Sequence, residues 1–250
     1  MSDGHIITGS NDHSIKLWNL ETCTSLKTFL GHTHTVTTLA KLSEDEFLSG
    51  SGDQTIKLWS ISCGLCIKTL LGHTGTLSCI KVISNDEFIS SASDGTLKFW
   101  NIPSSSCINS LNGEANVNCI EILSDDEVAS GDNDHLIHIW NYRKKKCLKT
   151  LKGHKGRINC LLNAGKNEIL SGASDTSIKM WNIAMGMCIA NFNGHRNEIR
   201  CLTLLMTGFF ASGSDDGNIK IWNRIDGECV RTLYGHGKSV LGMITLNNKE

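Results

Sequence analysis

The sequence has 250 residues, a hydrophobic content of 40% and a formal net charge of −1. This length and composition are typical of a folded globular chain with a sizeable core, not of a disordered one. The near-neutral charge argues against nucleic acid or an anionic membrane as a partner, because both require clustered positive charge. The one basic run, at residues 143–146, is short and is interpreted as a solvated turn.

The beginning of the chain, MSDGHIITGSND, has neither the basic nor the apolar part of a signal peptide. No apolar run reaches the roughly 18 residues that a membrane helix needs. We therefore expect a cytoplasmic protein, with the nucleus as the alternative, whose eleven cysteines are thiols. One local motif needs an explanation: ISCGLCIKTL (61–70) contains Cys63 and Cys66 at the spacing of redox and zinc sites.

Short strands are predicted along the whole chain. It begins with three, GHIITGS, SIKLW and SLKTFL, and five four-stranded units follow. In the first of these units, TVTTLAKL, EFLSGS, TIKLW and LCIKTL are rich in β-branched residues and are separated by turn formers. The chain ends with one more first strand, SVLGMITL (239–246). No segment shows helical periodicity over ten residues.

A repeat of 40 or 41 residues runs through these strands. Trp recurs six times at this spacing, with an Asp six residues before it and a Ser or Thr ten residues before it. A Gly-His pair stands before the first strand of most units, whereas the unit that is one residue short has Gly113-Glu114. Four short strands in a repeat of this length form one blade of a β-propeller.

The repeats closely resemble the WD-repeat family over essentially the whole chain, for example in CLKTLKGHKGRINCLLNAGKNEILSGASDTSIKMWN. The residue after Trp, Asp in the family, is Asn in five units and Ser60 in the other. The resemblance implies an all-β fold: a WD-repeat β-propeller of six four-stranded blades in a single domain, 1–250. Five blades are contiguous, and one is closed by the N- and C-terminal strands. The alternative is a fragment of a seven-bladed propeller.

The resemblance also implies a structural role for the recurring polar residues. In WD repeats the His of the Gly-His pair bonds the Asp, and the Ser or Thr links that His to the Trp indole. A catalytic Ser–His–Asp triad would not occur in five or six copies, so we expect no enzyme, no metal and no cofactor.

Six sets of these residues are expected, one in each blade. They are His32, Ser49, Asp53 and Trp59; His73, Ser90, Asp94 and Trp100; Ser130, Asp134 and Trp140; His154, Ser171, Asp175 and Trp181; His195, Ser212, Asp216 and Trp222; and His236, Thr8, Asp12 and Trp18. In the third of these sets Glu114 replaces His and is expected to turn outward, because two carboxylates would repel each other.

Two rings of residues surround the channel mouth on the top face of resembling proteins. Carried over, they are Thr37, Ser78, Asn118, Asn159, Arg200 and Leu241, and Asn11, Gly52, Ser93, Asn133, Ser174 and Asp215, with Arg157 and Glu198 beside the first ring. We expect a non-catalytic scaffold, a monomer or a subunit of a complex, that binds a protein or peptide there. The alternative is a substrate receptor of the ubiquitin-ligase type, with Arg157 and Arg200 clamping an acidic or phosphorylated peptide. An enzyme with its site in the channel is the remote alternative, because we find no acid–base pair outside the repeat consensus.

The cysteines follow the repeat as well. Cys66 lies in an outer strand at the position of Cys107, Cys147, Cys188 and Cys229, and a second series occupies first strands at Cys79, Cys119, Cys160 and Cys201. We interpret both series as small apolar fillers. The Cys63–Cys66 motif would then span a turn into a strand, which does not favour a redox site. Cys63 itself stays unexplained.

Overall fold

The computed structural model describes residues 4–113, 115–165, 167–205 and 208–243. Their regular elements are 23 strands in six antiparallel sheets, in which consecutive strands are neighbours. No helix in this part of the chain is long and apolar enough to cross a membrane. The chain divides into two compact units, Met1–Val117 and Asn118–Glu250. The expected single domain over 1–250 stays a prediction.

The first unit holds three sheets. They are β1 (His5–Gly9), β2 (Ile15–Asn19) and β3 (Thr24–Phe29); β4 (Val36–Lys41), β5 (Glu46–Ser51), β6 (Ile56–Ser60) and β7 (Cys66–Leu70); and β8 (Leu77–Val82), β9 (Glu87–Ala92), β10 (Thr96–Asn101) and β11 (Ser106–Asn112). The second unit holds the other three, and its first strand begins at the boundary. They are β12 (Val117–Ile122), β13 (Glu127–Asp132), β14 (Ile137–Asn141) and β15 (Lys146–Leu151); β16 (Ile158–Gly165), β17 (Glu168–Ala173), β18 (Ile178–Asn182) and β19 (Met187–Phe192); and β20 (Ile199–Leu204), β21 (Phe209–Ser214), β22 (Ile219–Asn223) and β23 (Cys229–Leu233).

Each sheet is one repeat, and we number the sheets blades 1 to 6. Apolar residues of neighbouring blades interlock within a unit. In the first unit, Leu48 and Ile56 of blade 2 lie in one buried cluster with Phe88 and Trp100 of blade 3. In β5 of blade 2, Phe47 lies in a buried cluster with Ile15 and Phe29 of blade 1, whereas the next residue, Leu48, packs against blade 3, because successive strand side chains point to opposite faces. The Trp is the largest side chain in this packing and is almost fully buried in blades 2, 3, 5 and 6.

Blades 1 and 6 are less covered than the rest. Leu233 at the end of β23 is 44% exposed, whereas its five equivalents, Phe29, Leu70, Leu111, Leu151 and Phe192, are at most 4% exposed. Ile6 in β1 is 42% exposed. Blade 1 has three described strands; residues 239–243 are not in a strand, and residues 244–250 lie outside the described part of the chain. Closure of blade 1 by residues 239–246 therefore stays a prediction.

Candidate functional site

Four blades contain a buried chain of hydrogen bonds, which blade 3 illustrates. Trp100 Nε1 donates to Ser90 Oγ over 2.8 Å, and Ser90 Oγ lies 2.7 Å from His73 Nε2. His73 Nδ1 lies 2.8 Å from Asp94 Oδ2. An indole nitrogen can only donate, so the Ser90 hydroxyl donates to His73 Nε2 and His73 Nδ1–H donates to the carboxylate.

Blade 2 has the same bonds as blade 3. Trp59 Nε1 donates to Ser49 Oγ over 2.7 Å, and Ser49 Oγ lies 2.7 Å from His32 Nε2. His32 Nδ1 lies 2.7 Å from Asp53 Oδ2. The four residues expected for this blade are therefore joined in the expected order.

Blade 5 repeats the arrangement in the second unit. Trp181 Nε1 donates to Ser171 Oγ over 2.8 Å, and Ser171 Oγ lies 2.7 Å from His154 Nε2. His154 Nδ1 lies 2.9 Å from Asp175 Oδ2. Ser171 is fully buried, so its hydroxyl has no access to water and depends on these partners.

Blade 6 contains the fourth complete chain. Trp222 Nε1 donates to Ser212 Oγ over 2.8 Å, and Ser212 Oγ lies 2.7 Å from His195 Nε2. His195 Nδ1 lies 2.8 Å from Asp216 Oδ2. Ser212 is fully buried and Trp222 is 1% exposed, although the outer strand of this blade is less covered than its equivalents. The serine and the indole thus lie in the blade interior and form no part of a surface site.

The protonation states follow from burial and from these bonds. Burial lowers the pKa of His73, which is therefore neutral at pH 7. Burial opposes ionisation of Asp94, but bonds from Thr74 N–H, His73 and Thr96 outweigh it and lower its pKa to about 2. Each polar hydrogen of Trp100, Ser90 and His73 is thus donated to an acceptor within the blade. The constellation therefore holds the blade together and has no proton to exchange with a substrate.

Sterics explain why a glycine precedes the histidine in the Gly-His pair. Gly72 has φ +149°, and a Cβ built on it would lie 3.2 Å from Trp100 Cη2. Both the backbone angle and the ring that lies over it select glycine. Gly-His thus places the imidazole beside the indole, with ring centroids 6.1 Å apart for His73 and Trp100.

Blade 4 departs from the predicted set. Trp140 Nε1 donates to Ser130 Oγ over 2.8 Å, but Asp134 is exposed, so its predicted place in the network is wrong. The buried carboxylate of this blade is Asp132, whose Oδ1 accepts from Leu136 N–H and whose Oδ2 lies 3.1 Å from His138 Nε2. In blade 3 the equivalent of Leu136, Thr96, donates its N–H to Asp94, so in blade 4 Asp132 has taken over this bond from the Asp134 position. Glu114 lies outside the described residues.

Asp132 and His138 are also an acid–base pair that the repeat consensus does not contain. The expectation that no acid–base pair lies outside the repeat consensus is therefore wrong for this pair, because the contact between Asp132 and His138 forms only in the folded blade. A signal was present in the sequence: His138 stands where the five other blades have lysine, at Lys16, Lys57, Lys98, Lys179 and Lys220.

The first blade contains the bond from Trp to the hydroxyl residue but no described bond to a histidine. Trp18 Nε1 donates to Thr8 Oγ1 over 2.8 Å, and Asp12 accepts from Ser14 N–H over 2.9 Å. Thr8 and Asp12 are exposed, and so is His236, which lies in the second unit. The predicted link between His236 and these residues therefore stays a prediction.

Most residues of the first predicted rim sit on bulges and tie one blade to the next. Thr37, Ser78, Asn159 and Arg200 are the extra residues where the first strand of a blade slips against the second. Bulges re-aim side chains, and three of these four reach a carbonyl at the start of the following blade. Thr37 Oγ1 donates to Leu77 O over 2.7 Å and Asn159 Nδ2 to Ile199 O over 2.9 Å. Ser78 bonds Val117 O, and Asn118 bonds Ile158 O, in the same way.

The second predicted rim lies in the turns after the second strands. Asn11, Ser93 and Asn133 are exposed, and Ser174 and Asp215 are half-buried. Asn133 accepts from Asn118 Nδ2 over 2.9 Å, so the two predicted rims are in contact in blade 4. Leu241, predicted for the first rim, is 72% exposed.

The two candidate arginines belong to one charged cluster in the second unit. Arg157 Nη2 donates to Glu198 Oε2 over 2.9 Å, and Arg200 Nη2 lies 3.2 Å from the same oxygen. Arg200 Nε also donates to Asp215 Oδ2 over 2.9 Å, a bond that lowers the pKa of Asp215. Two guanidinium groups thus face two carboxylates. Arg200 is held by both acids, whereas Arg157 keeps 45% of its side chain exposed.

A polar groove opens beside Arg157. Its lining consists of Asn133, His135, Lys155, Gly156, Arg157, Ser174 and Glu198, all within the second unit. Lys155 is exposed, and only its backbone N–H is used by the network, through a bond to Asp175 Oδ2. Hydrogen-bond donors and two cationic side chains therefore converge on one concave surface. In blades 2 and 3 the equivalents of Lys155 and Arg157 are threonines, Thr33 and Thr35, and Thr74 and Thr76.

Three lysines that the sequence analysis did not single out also connect blades. Lys27 Nζ donates to Ile61 O over 2.6 Å, Lys68 Nζ to Ile102 O over 2.6 Å and Lys149 Nζ to Ile183 O over 2.8 Å. Each lies nine residues after the Trp of its blade, so the repeat spacing could have revealed them. They support the turns between third and fourth strands.

The cysteines correct one expectation. The first-strand thiols Cys119 and Cys201 are buried, and burial raises the pKa of Cys201 to about 11, as expected for inert fillers. The outer-strand thiols Cys66, Cys107 and Cys229 are exposed, so the filler interpretation is wrong for them. The outermost strand of a blade has no further strand to cover it. Cys63 is exposed in a turn. Among the described residues, no group of three or more His, Cys, Asp or Glu is placed to hold a metal ion.

Comparison with known proteins decides the family. Six stretches match the model described as "WD domain, G-beta repeat": residues 1–19, 23–60, 64–101, 105–141, 145–182 and 186–223. The chain belongs to the WD-repeat family. A similar solved structure, the crystal structure of the computationally designed Ika8 protein, is 29% identical, with 99% of this chain and 77% of that chain covered and a TM-score of 0.84. No curated protein matches the sequence.

Membership explains the repeated geometry. The prediction of an all-β WD-repeat propeller fold with six blades is confirmed. WD-repeat propellers generally bind protein partners and are generally not catalytic. In this WD-repeat chain the Gly-His, Ser, Asp and Trp positions serve the blade interior, and the departures from the repeat, at Lys155, Arg157 and Glu198, face the groove.

Proposed function

We propose that this WD-repeat protein is a non-catalytic scaffold, located in the cytoplasm, that binds an acidic segment of a protein partner in the groove beside Arg157. The observation that carries the proposal is the convergence of Lys155 and Arg157 with the polar side chains of Asn133, His135 and Ser174. Arginine and lysine bind carboxylates through charge-assisted hydrogen bonds, and an exposed Arg157 can add a partner's carboxylate to the one that it already holds.

Arg200 has a supporting part in this proposal. Its guanidinium is bonded to Asp215 and Glu198, so it positions Glu198, and Glu198 in turn orients Arg157. A partner that took Arg200 directly would have to displace Asp215. For this reason we assign the partner to Lys155 and Arg157 and not to the pair Arg157 and Arg200.

Affinity purification from the native organism tests the proposal. The baits are wild type, the double variant Lys155→Gln/Arg157→Gln and the control Lys144→Gln/Lys145→Gln, which removes the same charge from an exposed turn of blade 4. We expect the groove variant alone to lose a defined set of proteins that bind wild type. Identical captures with all three baits would contradict the groove assignment.

The substrate-receptor alternative requires a phosphorylated partner segment, since a phosphate offers an arginine more charge than a carboxylate does. Phosphatase treatment of the lysate separates the two. Capture that survives the treatment supports an acidic segment, and capture that disappears supports a phosphorylated one.

A further inference from the structure

Blade 4 brings a thiol, an imidazole and a carboxylate together. Cys147 Sγ lies 3.9 Å from His138 Nδ1, and His138 Nε2 lies 3.1 Å from Asp132 Oδ2. The Asp132 side chain is 4% exposed and that of His138 is 16% exposed, so the pair is shielded, while Cys147 in the outer strand is half-buried. Thr150 Oγ1, 3.1 Å from His138 Nδ1 and 3.9 Å from the sulfur, completes the cluster.

The other blades lack this arrangement although they have the thiol. Cys66, Cys107, Cys188 and Cys229 occupy the position of Cys147, and each has its sulfur near the carbonyl two residues on, at 3.1–3.5 Å. Cys147 Sγ has the same neighbour, Lys149 O, at 3.4 Å. Two positions differ between blade 4 and these four blades. The residue two before the Trp is His138 in blade 4 and Lys in the others. The residue eight before the Trp is Asp132 in blade 4 and Ser51, Ala92, Ala173 or Ser214 in the others.

The difference matters chemically because only a thiolate is a good nucleophile. A lysine ammonium has no lone pair and cannot accept the thiol proton, whereas a neutral imidazole can. Asp132 accepts from His138 Nε2–H and stabilises the imidazolium once it forms, and the lone pair is then on Nδ1, which both Thr150 Oγ1 and Cys147 Sγ approach. The arrangement is that of a nucleophile, its base and the group that orients the base.

We infer that Cys147 is a nucleophilic thiol and a modification site for peroxides. His138 takes the thiol proton, and the sulfur attacks one peroxide oxygen. The S–O bond forms as the O–O bond breaks, and the leaving hydroxide receives the proton and departs as water. The sulfur is oxidised by two electrons to a sulfenic acid, and the peroxide is reduced.

Site-resolved labelling of the full chain tests this. Limiting iodoacetamide at pH 7, read by peptide mass spectrometry, measures nucleophilicity, and hydrogen peroxide followed by dimedone measures sulfenic acid. Cys188 is the internal control, because it is half-buried like Cys147 and its blade has Lys179 at the position of His138. An ordinary thiol is only a few per cent thiolate at pH 7, so activation corresponds to a rate about tenfold higher at Cys147.

Two variants connect the rate to the cluster. His138→Lys installs the residue of the other blades, and Asp132→Ser installs that of blades 2 and 6. Both should bring labelling of Cys147 down to the rate of Cys188 and leave Cys188 unchanged. Equal rates at the two thiols in wild type, or a Cys147 rate that His138→Lys does not lower, would overturn the proposal. Should a variant unfold, the buried Cys119 becomes labelled as well, and the wild-type comparison decides.

Discussion

Replacing Ser90 with Ala tests the buried hydrogen-bond chain of blade 3. Ser90 is fully buried; it accepts from Trp100 Nε1 over 2.8 Å and donates to His73 Nε2 over 2.7 Å. The substitution removes one oxygen and leaves a buried donor and a buried acceptor without partners. Each of the two unsatisfied groups costs about 1–3 kcal/mol, so we expect the free energy of unfolding to fall by roughly 2–6 kcal/mol. At about 2–4 °C per kcal/mol for a chain of this size, the melting temperature should fall by about 4–24 °C.

The matched control lies in blade 1. Thr8 occupies the equivalent position and accepts from Trp18 Nε1 over 2.8 Å, but Thr8 is exposed. In Thr8→Val, water replaces the lost hydroxyl, and we expect a loss below about 1 kcal/mol. Urea unfolding followed by circular dichroism measures both variants. Equal losses for Ser90→Ala and Thr8→Val, or a loss below about 0.5 kcal/mol for Ser90→Ala, would refute the burial argument.

Two further predictions concern the same network. Gly153→Ala should destabilise the protein by roughly 1–3 kcal/mol more than Gly235→Ala in thermal unfolding. Both glycines have φ near +155°, but only a Cβ at Gly153 would meet a ring, at 3.2 Å from Trp181 Cη2. Similar melting temperatures for the two variants would contradict the argument that the ring selects glycine. Stability should fall on acidification, because the unfolded chain protonates His73 near its ordinary pKa of 6.5 while burial keeps the folded pKa lower. It should fall again between the ordinary pKa of Asp94, 3.8, and its folded value of about 2. Calorimetry at pH 7.5, 5.5 and 3 measures this, and a melting temperature that rises toward acid would show that the sign is wrong.

The repeat explains why so much of the fold could be predicted. Each blade consists of about 41 consecutive residues, and each strand pairs with the strands next to it in the sequence. The hydrophobic period and the turn formers therefore specify both the elements and their order. The partners of the network were implied by the family resemblance, and they recur from blade to blade because strand register is constant: ten residues separate Ser90 from Trp100 in blade 3, and the same spacing joins Ser212 to Trp222 in blade 6.

Prediction was least successful where a residue departs from the repeat. A repeat pattern assigns Asp134 to the network, but in the structure the N–H of Leu136 goes to Asp132, a residue that has no acidic equivalent in the other blades. The charged cluster could not be predicted from the repeat either, because Arg157 and Arg200 belong to neighbouring repeats but share Glu198 in space. Whether the two arginines contact the same carboxylate depends on how the two blades pack against each other, and the sequence of one repeat does not reveal that packing.

The sequence by itself determined the strands and the six repeats, because both follow from short-range spacing along one chain, and the resemblance of these repeats to the WD-repeat family implied the polar network from Trp to Asp. Only the tertiary structure decided which side chains remain available. Bulges turn Thr37 and Asn159 toward carbonyls of the next blade, acids hold Arg200, and three strands of blade 4 bring Cys147, His138 and Asp132 together. The physical reason is that availability depends on neighbours across strands and blades, and those contacts form only when the sheets pack.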